Sequence, residues 1–233
     1  MISADERSRT KRRATPIWVA LLAGAALVWL AIPRVVSALA GLPAGPIISE
    51  LRAGQQKEPR YLQIAANSQR SALAWIDDGR GWGWLGLLTF LQAQDRGFDD
   101  DGRALLDVSI AAHRRGLALS PAQTYAWARL VHAELLHKGP SPQLGTWLAL
   151  SMVSAPYEKR LVFQRLELCF LVWRQLDDRV RARVAEQVRF AARYKLGRLA
   201  KLAKRRYATG IVRAALADVP DLRRRFDAAL LRL

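Results

Sequence analysis

Cysteine and histidine are scarce in this chain of 233 residues. The single cysteine, Cys169, excludes an intrachain disulfide, and its apolar neighbours predict a buried, unreactive thiol. The three histidines supply no metal-binding pattern, because His132 and His137 are five positions apart and point about 140° away from each other around a helix. We therefore predict that the protein holds no metal and no cofactor.

Recognisable catalytic motifs are also missing. The glycine-rich segment 79–86 has no P-loop Lys-Ser/Thr and follows no predicted strand, so it favours a hinge or a close approach of two helices with packed tryptophans over a nucleotide-binding loop. The carboxylates at 77–78, 99–101 and 177–178 are adjacent in sequence, which is typical of helix starts. We predict that the protein is not an enzyme, with an undetected glycan-processing enzyme as an alternative if carboxylates from different segments meet in space.

No stretch alternates apolar and polar residues as β-strands do. From Pro59 onward apolar residues recur at intervals of three and four, which predicts an all-α fold. Pro121, Pro156 and Pro220 are each predicted to open a helix. The predicted helices cover 59–76, 82–96, 102–118, 121–137, 142–154, 157–176, 178–195, 198–207, 209–217 and 220–232.

Negative charge is in short supply, with 37 Lys and Arg against 20 Asp and Glu and a net charge of +17. Counted separately, residues 1–40 carry a net +4, residues 41–178 carry +1 and residues 179–233 carry +12. The two ends therefore need separate explanations, and charge says little about the segment between them.

The segment 14–33 contains no charged residue and follows a basic N-terminus, 1–13. Twenty helical residues span about 30 Å, the thickness of the hydrocarbon core, and Trp18 and Trp29 lie toward the two ends of the segment. We predict a transmembrane helix at 14–33, followed by a juxtamembrane linker at 34–58.

Five cations precede this helix and favour a cytoplasmic N-terminus, which places the later residues in the periplasm beside the inner membrane. A cleaved signal peptide is the alternative, because the Ala-Leu-Ala sequence at 38–40 has the small-x-small pattern of a cleavage site. Both interpretations send the rest of the chain across the membrane.

The segment 59–178 contains a faint repeat. A small residue and an apolar pair precede Pro121, and Trp127 follows six positions later, which resembles the junction between two tetratricopeptide (TPR) repeats. Pro121 and Pro156 are 35 apart, close to the 34-residue period of such repeats. After Pro156, Val162 and Arg165 replace the expected aromatic and leucine. We predict a TPR-like helical domain, with an irregular helical bundle as the alternative.

A broader resemblance rests on Leu-Ser-Pro-x-x-x-Tyr-Ala-Trp-Ala-Arg-Leu at 119–130, Ala-Pro-Tyr-Glu at 155–158 and Arg-Leu-Glu-Leu at 165–168. Together with the basic N-terminus and single span, these segments resemble single-span accessory proteins of bacterial exopolysaccharide biosynthesis and export. The resemblance implies an envelope role beside inner-membrane polysaccharide synthesis or export proteins. It carries over no catalytic residue.

Two groups of residues are candidate binding sites. Tyr125, Trp127 and Arg129 form a candidate groove for a partner or a glycan, since aromatic faces stack on sugar rings; core packing is the alternative for the tryptophan. The segment 179–233 is predicted to form basic amphipathic helices whose cations bind anionic lipid or acidic glycan, with a merely solvated face as the alternative. These cations are Arg198, Lys201, Lys204, Arg205 and Arg206.

These patterns together predict a membrane-anchored, non-catalytic helical scaffold that assists exopolysaccharide biosynthesis or export. An alternative is a regulator that binds anionic lipid or nucleic acid through a cytoplasmic helical domain. Export of the domain argues against nucleic acid as the partner.

Overall fold

The computed structural model describes residues 4–97 and 99–233, with side chains from residue 19 onward. Across this described part the chain is all-α, with eleven α-helices and no strand, as predicted. The helices are α1 (Ala4–Gly41), α2 (Ala44–Arg52), α3 (Pro59–Leu73), α4 (Gly79–Asp95), α5 (Asp100–Leu119), α6 (Thr124–Lys138), α7 (Pro142–Ser154), α8 (Val162–Leu171), α9 (Asp178–Arg205), α10 (Thr209–Ala215) and α11 (Pro220–Leu231).

Helix α1 carries the candidate membrane span. The part Val19–Gly41 is long and apolar enough to cross a bilayer, and its apolar side chains are exposed rather than packed into the helical domain. Trp29, for example, is 76% exposed. The side chains of the basic residues at 1–13 and of Trp18 lie outside those that the structure describes.

The segment 34–58 is largely helical, so the prediction of a linker there was wrong. Helix α1 continues to Gly41, and α3 packs against its end. The Ser37 hydroxyl donates to the Ala72 carbonyl at 2.9 Å, and the Ser68 hydroxyl donates to the Ala40 carbonyl at 2.6 Å. These pairs make α3 antiparallel to α1 and join the span directly to the domain.

Helix α2 is also part of the domain. It buries Ala44, Ile47 and Ile48 in an apolar cluster with α3 and α4, although it lies within the predicted linker. Burial of these side chains stabilises a nine-residue helix that is too short to be stable alone. Tertiary packing therefore decides the structure of this segment, which local composition misjudges.

Helices α3 to α7 pack in sequence order, each against the next. The closest approach joins α4 and α5, where a Cβ on Gly116 would lie 2.8 Å from the Gly79 carbonyl oxygen and one on Gly86 would lie 2.7 Å from the His113 ring. The Ser109 hydroxyl bonds the Gly86 carbonyl at 2.7 Å. The predicted close helix approach at 79–86 is confirmed.

Aspartates begin three of the helices, as predicted. Asp78 accepts a hydrogen bond from the Gly81 amide, Asp99 does so at α5, and Asp177 does so at α9, with distances of 2.6 to 2.8 Å. Each carboxylate thereby satisfies an amide that has no partner within its helix.

Two of the three prolines do not open helices, which corrects the prediction for Pro121 and Pro156. Ser120 ends α5, its amide bonding the Gly116 carbonyl, so α6 begins only at Thr124. The carbonyl of Pro156 accepts from the Gln187 side chain at 2.6 Å, which holds that segment as a loop before α8. Pro220 opens α11 as expected.

The C-terminal helices surround a second core. Val184 and Val188 of α9 and Phe226 of α11 are fully buried there, and Cys169 of α8 lies among them as a buried thiol, as predicted. Burial raises the pKa of Cys169 far above its usual value. Lys195 has non-helical backbone angles, so α9 is kinked where the sequence predicts a break between two helices.

Candidate functional site

A cleft of about 440 Å³ lies between α2, α4, the first turn of α6 and the loop before α8. Its charged lining residues are all arginines, and no carboxylate lines it. Within the described part of the chain, none of the four pairs with an acidic side chain. They are Arg52, Arg80, Arg129 and Arg160.

Aromatic rings hold two of these arginines in place. The guanidinium of Arg52 lies 4.6 Å from the centre of the Trp84 ring. That of Arg129 lies 5.4 Å from the Trp84 ring and 5.8 Å from the Tyr125 ring. Such cation–π contacts orient a guanidinium without cancelling its charge, so the N–H groups keep a net positive field.

Arg129 is the least solvated of the four cations. Burial lowers its pKa, the charge of Arg52 lowers it further, and Tyr125 partly opposes the effect, giving a value of about 10. The group stays protonated at neutral pH. Because it lacks a carboxylate partner, an anion entering the cleft would supply its counter-charge.

The Glu158 carboxylate lies beside Tyr125 of the cleft lining. Burial raises the pKa of Tyr125, and the Glu158 charge raises it further. Glu158 also accepts a hydrogen bond from the Arg160 amide at 3.0 Å. It therefore acts on the tyrosine and the loop and lies outside the lining of the cleft.

A fifth arginine, Arg165, lies fully buried next to the cleft wall. Its Nη2 donates to the Thr124 hydroxyl at 2.9 Å, and its other N–H groups donate to the Ser151 hydroxyl, the Ala155 carbonyl and the Ser151 carbonyl. All of these acceptors are neutral, and the Glu158 carboxylate offsets only part of its charge, which adds to the positive field at the start of α6. The residue links α6, α7 and α8.

A second cleft of about 520 Å³ continues beyond Arg129. It shares Leu51, Leu87 and Arg129 with the first, and its own lining includes the amide side chains of Gln55 and Gln94. The two clefts together are called the groove here. Arg129 lies at their junction.

Two of the three predicted groove residues, Tyr125 and Arg129, line the groove. Trp127 does not: its indole N–H donates to the Pro121 carbonyl at 2.8 Å, and its ring packs beside the core formed by α5 and α6. Two positions along a helix correspond to a rotation of about 200°, which puts Trp127 opposite its neighbours. The prediction was wrong for Trp127, which is a packing residue.

Four groove residues were not anticipated: Arg52, Arg80, Trp84 and Arg160. They come from three segments spread between positions 52 and 160, and only the fold brings them together. The local signal for two of them is the glycine-rich segment 79–86, which contains Arg80 and Trp84 and whose tryptophans are predicted to pack between helices.

The five predicted C-terminal cations are all exposed, along the end of α9 and just after it. Leu199, Leu202 and Ala203 are buried on the opposite side, which confirms the amphipathic pattern.

Three of those cations have partners within the protein. The guanidinium of Arg198 lies 4.4 Å from the Phe163 ring centre. Arg205 and Arg206 both bond Glu167, at 3.1 and 2.6 Å. Only Lys201 and Lys204 of the five have no partner within the described residues.

Two of the histidines, His113 and His132, are packed inside the helical domain. His113 is fully buried against Gly86, both ring nitrogens lack a hydrogen-bond partner, and burial together with the Arg129 charge lowers its pKa to about 3. Burial also lowers the pKa of His132, whose ring lies 4.9 Å from that of Phe90. His113 is therefore neutral at physiological pH.

Comparison with protein-family models, with curated proteins and with solved structures finds no match to this chain. The family resemblance inferred from sequence therefore stays a prediction, as does the TPR-like character of the domain. What the groove does has to be argued from its own residues.

Proposed function

We propose that this protein is a membrane-anchored, non-catalytic helical binding protein that assists the assembly or export of a bacterial exopolysaccharide. The observation that carries the proposal is the arginine-lined groove on a domain bonded directly to the end of an apolar helix. Its two joined clefts have the volume and the hydrogen-bonding side chains that a glycan or a partner segment requires.

The packing of α3 supports a membrane-adjacent position for the groove. Since α3 runs antiparallel to the end of α1, the turn that follows α3 lies on the side of the span. Trp75 in that turn is 52% exposed, as an indole at a lipid headgroup would be. Arg80 of the groove follows only five residues later.

The chemistry of the groove supports binding rather than catalysis. The second cleft adds Lys57 and Asp95 to the lining. The charged groups of the first cleft are all guanidiniums, which stay protonated and therefore do not serve as general bases. They do bind carboxylates and phosphates strongly, often with two parallel hydrogen bonds. An acidic polysaccharide, or an acidic segment of a synthesis or export protein, has the complementary chemistry.

Crosslinking in native membranes tests this proposal. A photo-reactive residue at position 87, where the two clefts meet, should capture an acidic glycan or an inner-membrane glycosyltransferase, polymerase or export protein. The same residue at position 231, which is 91% exposed on α11, is the control and should not. Identical products from both positions, or none of these classes from position 87, would contradict the proposal.

A second candidate function is a regulator with its helical domain in the cytoplasm. The exposed cations at the end of α9 favour it, because such a face binds anionic lipid or nucleic acid. Two C-terminal fusions separate these candidates. An active phosphatase fusion places the domain in the periplasm, whereas an inactive phosphatase fusion together with a fluorescent green-fluorescent-protein fusion places it in the cytoplasm. Turnover of acidic glycans by the purified protein would instead favour an enzyme.

A further inference from the structure

The first cleft of the groove, lined by Arg52, Arg80, Arg129 and Arg160, has a more specific chemistry than general polyanion binding. We propose that it binds a phosphorylated sugar unit, either as a soluble sugar phosphate or as the headgroup of a lipid-linked sugar. The phosphate is inferred from the residues of the cleft itself, whereas the sugar is inferred from the proposed function. It assigns a ligand class to one end of the groove.

The charge balance of the cleft favours an anion. Four guanidiniums converge on about 440 Å³ with no lining carboxylate. Arg129 is partly desolvated, and the buried Arg165 adds its charge behind Thr124. A ligand with one or two negative charges relieves the mutual repulsion of these cations, whereas a neutral sugar does not.

The aromatic residues leave the arginines available to the ligand. Arg52 and Arg129 contact the ring of Trp84 through cation–π interactions, so the ring positions their charges and Trp84 has little free face for a sugar. Guanidinium N–H edges, by contrast, are matched to the oxygens of a phosphate. The cleft therefore recognises the charged group first and the sugar ring second.

The start of α6 adds neutral donors to this field. Gln123, Thr124 and Tyr125 line the cleft, and the side chain of Gln123 does not cap the helix. The Ala126 amide bonds the Gln123 carbonyl at 3.1 Å, so the amides of Thr124 and Tyr125 remain available at the start of this 15-residue helix, where its dipole favours an anion. This feature supports the site that the four arginines define.

The size of the cleft accounts for the sugar. A volume of about 440 Å³ falls in the range of pockets that hold small organic molecules and exceeds what an inorganic phosphate fills. The side-chain nitrogen of Gln123 donates to the Gly116 carbonyl at 3.4 Å, and its side-chain oxygen can accept a hydrogen bond from a sugar hydroxyl. Beyond Arg129, the second cleft leaves room for further sugar units.

Binding to the full-length chain in phosphatidylcholine nanodiscs tests the inference. Glucose 1-phosphate, glucose and inorganic phosphate are titrated by calorimetry, and polyprenyl-phosphate glucose is added to the nanodisc as the lipid-linked probe. We expect saturable binding of at least one phosphorylated glucose, about tenfold tighter than glucose or inorganic phosphate. Binding of only the polyprenyl compound identifies the lipid as the source, and binding of only glucose 1-phosphate identifies the soluble compound.

Matched charge variants give the decisive comparison. The Arg52→Gln/Arg129→Gln protein should lose at least about tenfold in affinity, whereas Arg205→Gln/Arg206→Gln, with the same net charge, should change less than about twofold. If the first variant does not fold, Arg80→Gln/Arg160→Gln replaces it, because both side chains are exposed at the rim.

Three results would overturn the inference: equal losses in both variants, no saturable binding of either glucose phosphate, or inorganic phosphate binding as tightly as the sugar phosphates. Its failure is separable from that of the proposed function. Crosslinking to a polysaccharide protein without phosphate binding leaves only the scaffold role, and phosphate binding without such crosslinks removes only the exopolysaccharide role.

Discussion

The groove and the end of α9 are both arginine-rich, yet they differ in what surrounds the charge. In the groove, aromatic rings and partial burial hold guanidiniums that have no carboxylate partner. At the end of α9, Arg205 and Arg206 share Glu167, and the neighbouring lysines extend into solvent. The segment with a net charge of +1 thus contains the concave cation site, while the segment with +12 presents an exposed face.

This difference shows that net charge is a poor guide to a specific anion site. Exposed cations are screened by salt and water, so they attract a polyanion in proportion to their number. Cations in a cleft act through fixed geometry and reduced solvation, so each one matters individually. Single substitutions should therefore affect these two kinds of basic surface differently.

The largest effect is expected for Arg165→Ala. This fully buried side chain satisfies acceptors on α6, α7 and the loop before α8, and truncation leaves those acceptors and a cavity behind. We expect a loss of about 3 kcal/mol in the free energy of unfolding, measured by denaturant titration. The exposed Arg205→Ala is the control, with about 0.5 kcal/mol or less. Equal losses would mean that Arg165 does not hold the groove together.

A smaller effect is expected from His113 in the groove half of the molecule. Its pKa of about 3 in the folded state lies below the ordinary value of 6.5, so the unfolded chain binds an extra proton as the pH falls below 6.5. Above pH 6.5 the ring is neutral in both the folded and the unfolded chain, so His113 causes no loss of stability there. Lowering the pH from 7 to 5 should therefore reduce the free energy of unfolding by about 2 kcal/mol through this group alone.

Denaturant titrations of wild type and His113→Asn at pH 7 and pH 5 isolate that contribution. Other groups titrate in both proteins, so the difference between their pH dependences reports His113. The wild type should lose about 2 kcal/mol more than the variant. Parallel pH dependences would show that the ring accepts a proton in the folded protein.

Much of the fold followed from the sequence because helix periodicity and capping are local. The aspartates at 78, 99 and 177 and the break near Lys195 lie where the pattern puts them. The failures arise where tertiary contacts override local signals. Ser37 and Ser68 join α1 to α3, and α2 is stabilised by burial, so the linker at 34–58 is mostly helix.

For the same reason, the sequence predicts only some of the residues that line the groove. Tyr125 and Arg129 lie one helical turn apart and were found together, and the turn also explains why Trp127 faces elsewhere. Arg52 and Arg160 come from segments with no shared motif. Their proximity depends on how α2 and the loop before α8 pack around α4 and α6.

The exposed face at the end of α9 responds to a smaller change. Glu167 neutralises part of the charge of Arg205 and Arg206, so Glu167→Gln should strengthen binding to phosphatidylglycerol-containing vesicles by about 1 kcal/mol, or about fivefold. Co-sedimentation at two salt concentrations measures it. Glu186→Gln, which removes an exposed carboxylate elsewhere on α9, is the matched control. The same gain in both variants would show that only net charge matters on this face.

The smallest effect concerns the two tryptophans that sequence reasoning treated differently from the structure. Trp84 orients Arg52 and Arg129, so Trp84→Leu should weaken binding of the phosphorylated glucose that the groove prefers by about threefold, the value of one modest cation–π contact.

Trp127→Leu is the counterpart, because its ring packs outside the groove and bonds Pro121. It should lower the thermal unfolding temperature and leave the affinity unchanged. A comparable loss of affinity in Trp127→Leu and Trp84→Leu would mean that both tryptophans affect binding only by stabilising the packing of their helices. An effect confined to Trp84→Leu would instead mean that an aromatic ring orients an arginine toward an anion without neutralising its charge. Glu167 of α8, by contrast, neutralises part of the charge of Arg205 and Arg206.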